Sequence, residues 1–191
     1  MNNEDVVWEI LRVDFTVIAC AAIIGNLQAE SALRPNNVQN SYESKLGTDQ
    51  VYTERVDSGV YGREKFSHDC AGYGLAQWTH WSRKSALWDY LKSKKGVGIS
   101  DLRGQAEFCA LEIKGNERLY NDLNACTQLR QAVEIVLKRY ERPADQSDGN
   151  VDRRTKLAGE VLARHREQDP DGTKKIIAEL KKLLNKLEGL V

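Results

Sequence analysis

The sequence predicts a mainly α fold, α+β at most, in which several helices surround one buried central helix. The central helix is predicted because residues 15–24 contain a single polar side chain, Thr16. Helical periodicity of apolar residues returns after residue 82 and continues through four further segments. The chain has 191 residues, enough for one domain and an appendage, and folding at that size buries roughly 70% of the unfolded chain's surface.

Two helices are predicted at the start of the chain. Residues 3–12 are amphipathic and begin with acidic side chains, which suit the positive end of a helix dipole. Asp14 is the expected N-cap of the second helix, which runs to about Ser31. Because the first half of this second helix is apolar on every side, we expect it to be buried all round.

The irregular part of the chain is residues 35–81. Thr48 is the expected N-cap of a short helix that ends at Gly59. Strand pairing between Tyr61 and Phe66 remains open at this point. Residues 60–81 mix aromatic side chains with glycines, a composition that is more typical of a cleft wall or loop than of a plain core element.

Four amphipathic helices are predicted after this segment. The first covers residues 82–96, and the second follows an N-cap at Ser100. The third follows an N-cap at Thr127 and ends at Pro143, and the fourth covers residues 151–168. We expect little or no sheet.

A change of composition separates the last residues from the rest. We divide the chain into a helical domain, residues 1–168, and a C-terminal amphipathic helical tail, residues 169–191, which is rich in Lys, Leu, Ile and Glu. Packing on the domain and self-association or docking to a partner are equally compatible with the apolar stripe of this tail. A helix lying on a membrane surface is a third interpretation, because lysines line the polar face.

Charge and hydropathy exclude some classes of partner. The 28 basic and 28 acidic residues cancel, so nothing in the net charge favours nucleic acid. No apolar segment approaches the roughly 20 residues that cross a bilayer, and the first residues lack the basic region of a signal peptide. We therefore expect a soluble protein that is made in a cytoplasm, with no stable membrane insertion.

The four cysteines, at positions 20, 70, 109 and 126, have none of the spacings of zinc sites. Free thiols, most of them buried, are the favoured interpretation. The functional alternatives are a metal site made of His68, Cys70 and His80, or a Cys/His nucleophile pair in the same stretch.

Glu30 is an unusual residue, since it stands at the end of the apolar helix. It shares a helix face with Ile23 and Leu27, and partial burial on that face would favour the protonated carboxyl that a general acid needs. The alternative from the helix alone is a solvated acid in a last turn. A carboxylate there opposes the helix dipole, which favours cations at C-termini.

Several ordered motifs carry a resemblance to a known family. "GNLQAES" at residues 25–31, a proline shortly after it, and "GYGLAQWT" at residues 72–79 with Arg83 beyond resemble the phage tail lysozyme type of peptidoglycan hydrolase. More remotely, the pattern is similar to goose-type lysozymes and lytic transglycosylases, in which a Glu-Ser pair precedes a Gly-Leu-x-Gln segment. The resemblance covers roughly residues 5–165 and implies a lysozyme-like catalytic domain.

The resemblance also assigns site residues. It implies that Glu30 is the catalytic acid and that Ser31 helps to orient it. The implied substrate-binding residues are Ser31, Tyr73, Gly74, Leu75, Gln77 and Trp78, with the two aromatic rings as walls for the glycan. For Trp81 and Trp88 we expect ordinary core packing, and for Arg83 an ion pair.

For a second carboxylate, Asp69 is our first candidate, because it directly precedes the "GYGLAQ" wall. Glu43 and Asp57 come after it. Retaining hydrolysis needs carboxylates about 5–5.5 Å apart, and inverting hydrolysis about 6.5–9.5 Å. Lytic transglycosylases need no second carboxylate. Tyr140 and Glu141 are secondary candidates that a later helix could bring to the cleft, unless Glu141 belongs to a structural ion pair.

The resemblance implies a muramidase that cuts the β-1,4 bond between N-acetylmuramic acid and N-acetylglucosamine. Its partner would be the peptidoglycan glycan strand, and its setting a phage or prophage lysis function or a virion tail. This chemistry requires neither cofactor nor metal. The alternatives are a lytic transglycosylase, a non-catalytic glycan-binding or tail-assembly module, and a metal-dependent hydrolase.

Overall fold

The computed structural model describes residues 1–168, which form ten α-helices and no regular strand. The helices are α1 (Asn3–Leu11), α2 (Val17–Ser31), α3 (Glu43–Leu46), α4 (Asp49–Asp57), α5 (Arg63–His68), α6 (Trp81–Lys92), α7 (Leu102–Gly115), α8 (Glu117–Ala125), α9 (Leu129–Val136) and α10 (Asp148–Gln168). A 3-10 turn, Asn40–Tyr42, precedes α3, and a π-helical turn, Leu137–Glu141, follows α9. The predicted mainly α fold is confirmed.

The central helix is α2, as its apolar sequence predicts. Every residue from Ala19 to Leu27 is buried, and α9 and α10 pack against it on different sides. Its N-cap is Thr16, whose hydroxyl accepts from the backbone N–H of Ala19 at 3.3 Å. Asp14 was the wrong choice of cap, because its backbone N–H still belongs to the turn that ends α1 and donates to the carbonyl of Leu11.

The contact between α2 and α10 depends on a glycine. A Cβ atom at Gly25 would lie 2.7 Å from the backbone nitrogen of Ala158 and 2.8 Å from its Cα atom. Only glycine therefore allows the two helix backbones to approach this closely. The close approach brings Arg154, one turn before Ala158 on α10, against the C-terminal half of α2, where it is only 3% exposed.

The irregular segment is held in place by buried polar contacts rather than by a sheet. Two isolated antiparallel bridges, from Tyr73 to Val38 and to Trp78, are the only extended pairing among residues 1–168. The backbone N–H of Leu75 donates to the side-chain oxygen of Gln105 at 2.9 Å. Gly74 has a φ of +74° and no room for a Cβ atom beside that same oxygen, so this turn requires glycine.

Some boundaries differ from the predictions. Residues 63–68 form helix α5, so the strand pairing left open there does not occur. Asp101 and Gln128, each one residue later than predicted, precede α7 and α9. Helix α8 was not predicted, because only Leu119 and Leu123 of its nine residues are buried and the signal is correspondingly weak.

Other predictions are answered only in part. All four cysteines are free, and three of them are buried while Cys70 is exposed. Within the described part of the chain, no helix is both long enough and apolar enough to cross a membrane. The predicted amphipathic tail, 169–191, lies outside the described residues, and so does its boundary with the domain.

The Gly25 contact gives a stability prediction. Gly25→Ala should lower the free energy of unfolding by about 1–2 kcal/mol, because the overpacking against backbone atoms exceeds the gain in helix propensity. Gly159→Ala on α10 is the matched control, since its Cβ would meet only a leucine methyl at 3.9 Å; it should be neutral or slightly stabilising. Thermal and urea unfolding measure both, and equal stabilities of the two variants would contradict the close approach.

Candidate active site

Polar side chains around the C-terminal end of α2 line one cavity. Its volume is about 910 Å³, within the range of small-molecule sites. Residues from α2, α6, α7, the irregular segment and the π-helical turn line it. The side chains that carry the chemistry below are Glu30, Gln77, Arg83, Glu112, Tyr140 and Glu141.

Glu30 lies in the last turn of α2 and contributes a carboxylate to this cavity. Its side chain is 18% exposed, and its Oε1 accepts from Nη2 of Arg154 at 2.6 Å. The guanidinium is fixed from other sides as well, by Oδ1 of Asn26 at 3.1 Å and by Oδ1 of Asn150 at 3.3 Å. The contact is the short, charge-assisted kind that a guanidinium makes with a carboxylate.

This ion pair is the largest difference from the sequence-based view of Glu30. Partial burial was expected to be the main influence on this carboxyl, whereas the structure places a buried cation, Arg154, directly against it. No sequence signal pointed to Arg154, because it is 124 residues away from Glu30 in the chain.

Ser31 joins the end of α2 to the Gly-Leu-x-Gln segment. Its buried hydroxyl donates to the backbone carbonyl of Leu75 at 2.9 Å. The helix then ends in two left-handed residues, Ala32 and Leu33, with φ of 52° and 57°, a common way for a helix to stop. Ser31 thus fixes the position of the residue beside it, Glu30, and does not line the cavity itself.

Two residues of the Gly-Leu-x-Gln segment, Ala76 and Gln77, line the cavity. Nε2 of Gln77 donates to the carbonyls of Asn37 at 3.0 Å and Gly74 at 3.2 Å. Leu75 is fully buried. Gly74 and Leu75 therefore shape the loop, and Gln77 is the polar member of the segment that can contact a ligand.

The aromatic residues differ from the predictions in burial: the expected cleft walls are buried, and one residue expected in the core is exposed. Tyr73 and Trp78, the predicted glycan walls, are both fully buried and do not line the cavity. Trp81, expected in the core, is instead 54% exposed, between cavity-lining His80 and Ser82 in the chain. Trp88 packs partly buried against the core as expected.

A second ion pair lies beside the first. Nε and Nη2 of Arg83 bind the two oxygens of Glu112 at 2.7 and 2.8 Å, which confirms the ion pair predicted for Arg83. The indole N–H of Trp78 and the hydroxyl of Tyr140 also donate to Oε2 of Glu112, both at 2.7 Å. Four donor groups thus satisfy the hydrogen-bonding capacity of this carboxylate.

Asp69 does not lie where a second catalytic carboxylate is needed. Its side chain is 4% exposed, accepts from the buried Nζ of Lys84 at 2.5 Å and from the hydroxyl of Tyr52 at 2.5 Å, and does not line the cavity. Burial lowers the pKa of Lys84, while the charge of Asp69 opposes that shift. Its position gives Asp69 a structural role, as the anchor of the irregular segment. Glu43 and Asp57 do not line the cavity either.

Glu141 is the carboxyl group that the structure brings to the cavity instead. It ends the π-helical turn after α9 and lines the cavity together with Glu30. Its Oε1 is buried and has no hydrogen-bond partner. Burial, and then the neighbouring charge of Glu30, raise the pKa of Glu141 well above its usual value. Tyr140 and Glu141 were only secondary candidates from the sequence.

The alternative metal site is not assembled in the structure. Among residues 1–168, no group of three or more His, Cys, Asp or Glu side chains is arranged so that it could hold a metal ion. His68 instead stacks on Trp81, with the ring centroids 5.7 Å apart. His68, Cys70 and His80 therefore do not form a common set of ligands.

A buried central helix that ends in a carboxylate at a polar cavity defines a helical domain of the lysozyme-like kind. The family model described as phage tail lysozyme matches residues 2–164. The chain belongs to the phage tail lysozyme family, and its function is lysozyme-like and peptidoglycan-lytic. No curated protein and no solved structure matches it.

The buried pair of Asp69 and Lys84 can be tested against a catalytic role. Lys84→Met alone should destabilise the protein by about 3–5 kcal/mol, because it leaves a buried carboxylate without its cation. The double variant Lys84→Met/Asp69→Asn should recover most of that loss and still clear cell walls. Unfolding curves and turbidity assays measure the two effects, and a stable but inactive double variant would show that Asp69 takes part in the chemistry.

Proposed function

We propose that the protein is a muramidase, which hydrolyses the β-1,4 bond between N-acetylmuramic acid and N-acetylglucosamine. The observation that carries this proposal is the position of Glu30, a partly exposed carboxylate in the cavity that is held by a buried arginine. Membership of the phage tail lysozyme family supports the choice of peptidoglycan as substrate.

In the proposed mechanism Glu30 donates a proton to the bridging oxygen while the anomeric carbon becomes oxocarbenium-like. The carboxylate that appears on Glu30 as the proton leaves is then stabilised by Arg154, whose own position is fixed by Asn26 and Asn150. A preorganised cation that binds the developing charge more strongly than the neutral acid lowers the barrier. The ionised Glu30 next activates the water that completes hydrolysis.

A lytic transglycosylase is the second candidate, and one observation favours it. Of the carboxyl groups that line the cavity in the described part of the chain, Glu112 is occupied by its four donors and Glu141 has a raised pKa. Glu30, which is held by Arg154 alone, is therefore the one of these three carboxyl groups that we assign to the chemistry. Transglycosylation needs only one, since the muramic acid's own 6-hydroxyl attacks.

Product analysis separates these candidates and the non-catalytic alternative. Purified peptidoglycan is digested in water enriched in oxygen-18, and the soluble fragments are analysed by mass spectrometry. Hydrolysis should give reducing N-acetylmuramic acid ends that carry one heavy oxygen. Ends of the 1,6-anhydro type would replace the muramidase with a transglycosylase, and binding of the wall without any soluble fragment would indicate a glycan-binding module.

Glu30 should be indispensable if it is the proton donor. We expect Glu30→Gln to lower the rate of wall clearing by about 10²–10⁴-fold, the usual contribution of a positioned general acid. The matched control is Glu160→Gln, an exposed glutamate on α10, which should keep the wild-type rate. A folded Glu30→Gln protein that clears walls as fast as the wild type would refute the proposal.

Trp81 is exposed and stands between cavity-lining His80 and Ser82 in the chain, so we propose that a sugar beyond the cavity stacks on its ring. We expect Trp81→Ala to raise KM for glycan about 3- to 10-fold through the loss of ring stacking, with little change in kcat. Val60→Ala, which shortens another exposed apolar side chain, is the control and should leave both constants unchanged. Kinetics on soluble glycan fragments measure this, and an unchanged KM in Trp81→Ala would exclude the stacking role.

A further inference from the structure

Glu141 has an unusual backbone setting for a cavity-lining residue. It closes the π-helical turn Leu137–Glu141, and Arg142 directly after it is left-handed, with a φ of 53°. The backbone N–H of Arg142 donates to the carbonyl of Leu137 at 2.8 Å, which closes the wide turn. Single π turns at the ends of helices are frequent at functional sites, because they redirect side chains.

The side chain of Glu141 is not satisfied in the way that a structural ion pair would be. Its Oε1 is inaccessible to solvent and has no hydrogen-bond partner, and no salt bridge forms between Glu141 and any residue that the structure describes. An ionised Glu141 would leave Oε1 charged with neither a hydrogen bond nor solvent to stabilise it, which is more costly than a neutral carboxylic acid there. The geometry therefore favours a proton on Glu141.

The charged groups around Glu141 lead to the same conclusion. Glu30 on α2 and Glu112 on α7 disfavour its ionisation, whereas Arg83 on α6 and Arg154 on α10 favour it. Each arginine, however, already binds one of the two glutamates. Within each ion pair, the effect of the arginine on Glu141 therefore opposes the effect of the glutamate that it binds. The phenol of Tyr140 and the thiol of Cys109 are the other titratable groups nearby, and burial raises the pKa of both, so they add no charge.

We propose that Glu141 stores the proton that Glu30 delivers to the bridging oxygen, so that the two carboxyl groups share one proton between them. The proposal rests on the proposed function of Glu30. In the free enzyme Glu30 is the carboxylate bound to Arg154, and Glu141 is the acid. Two carboxyl groups that share a site in this way titrate as a pair.

The proton passes through a closed cycle. Glycan in the cavity excludes water from Glu30 and weakens its preference for the ionised form, and the proton moves from Glu141 to Glu30. Glu30 then gives the proton to the bridging oxygen, which also takes the electron pair of the breaking C–O bond. Water adds to the anomeric carbon and loses a proton to Glu30, and the return of that proton to Glu141 restores the starting state.

Kinetics of Glu141→Gln provide the first test. Glutamine keeps the shape of a neutral acid but cannot release a proton. We expect kcat to fall by about 10²-fold with little change in KM. The alkaline limb of the pH–kcat profile should also move to lower pH, since Glu141, the group whose pKa is raised by burial and by the neighbouring charge of Glu30, no longer contributes to it.

A surface glutamate close in the chain provides the matched control. Glu134→Gln on α9 removes one negative charge from a residue that binds Lys138 at 2.5 Å and does not line the cavity. It should keep the wild-type kcat and pH profile. If Glu141→Gln shows the same constants and the same alkaline limb as this control, the proposal is overturned and Glu141 is only structural.

An NMR titration gives a readout that does not depend on activity or on the folding of Glu141→Gln. In the wild type, the carbon-13 chemical shift of the Glu141 carboxyl group should be that of a protonated acid at neutral pH. In Glu30→Gln it should titrate at lower pH, because the neighbouring negative charge that raises its pKa is gone. The proposal would be overturned if Glu141 is ionised at neutral pH in the wild type. It would also be overturned if Glu141 titrates at the same pH in Glu30→Gln as in the wild type.

The two proposals fail in different ways. Wild-type activity of Glu30→Gln would overturn the muramidase mechanism as a whole. An inactive Glu30→Gln combined with a fully active Glu141→Gln would overturn only the storage of the proton on Glu141.

Discussion

The ion pair between Glu30 and Arg154 is the interaction on which the rest of the site depends. It exists because α2 and α10 approach backbone to backbone at Gly25 and Ala158, so that a buried guanidinium reaches the end of the central helix. Asn26 fixes the same guanidinium from α2. One helix contact thus sets the position and the surroundings of the carboxylate, and a displacement of α10 would alter both together.

The cavity keeps its acidic groups in different states through their surroundings. Glu30 and Glu112 each form an ion pair with an arginine, whereas Glu141 has a buried Oε1 without a hydrogen-bond partner and forms no ion pair with a described residue. Differences of this kind between neighbouring carboxyl groups are how an enzyme assigns acid and base roles at neutral pH. In the proposed mechanism Arg154 favours departure of the proton from Glu30, and Glu141 keeps that proton available.

Sequence reasoning succeeded where the signal was local. The apolar run of α2 predicted a buried central helix, which the structure confirms. It failed where the role of a side chain depended on a distant partner. Asp69 stands beside the cleft segment in sequence, but Lys84 holds it inside the protein. Arg154 has no local signature at all, and the exposure of Trp81 depends on which face of a loop packs inward.

The most direct test of this account is a crystal structure of the Glu30→Gln variant with a bound peptidoglycan oligosaccharide. The account predicts that the glycan occupies the cavity beside Gln77, with a bridging oxygen of the muramic acid within hydrogen-bond distance of the side chain at position 30. Arg154 should remain against Asn26. A glycan bound elsewhere, or bound with no bridging oxygen near that side chain, would contradict the central claim.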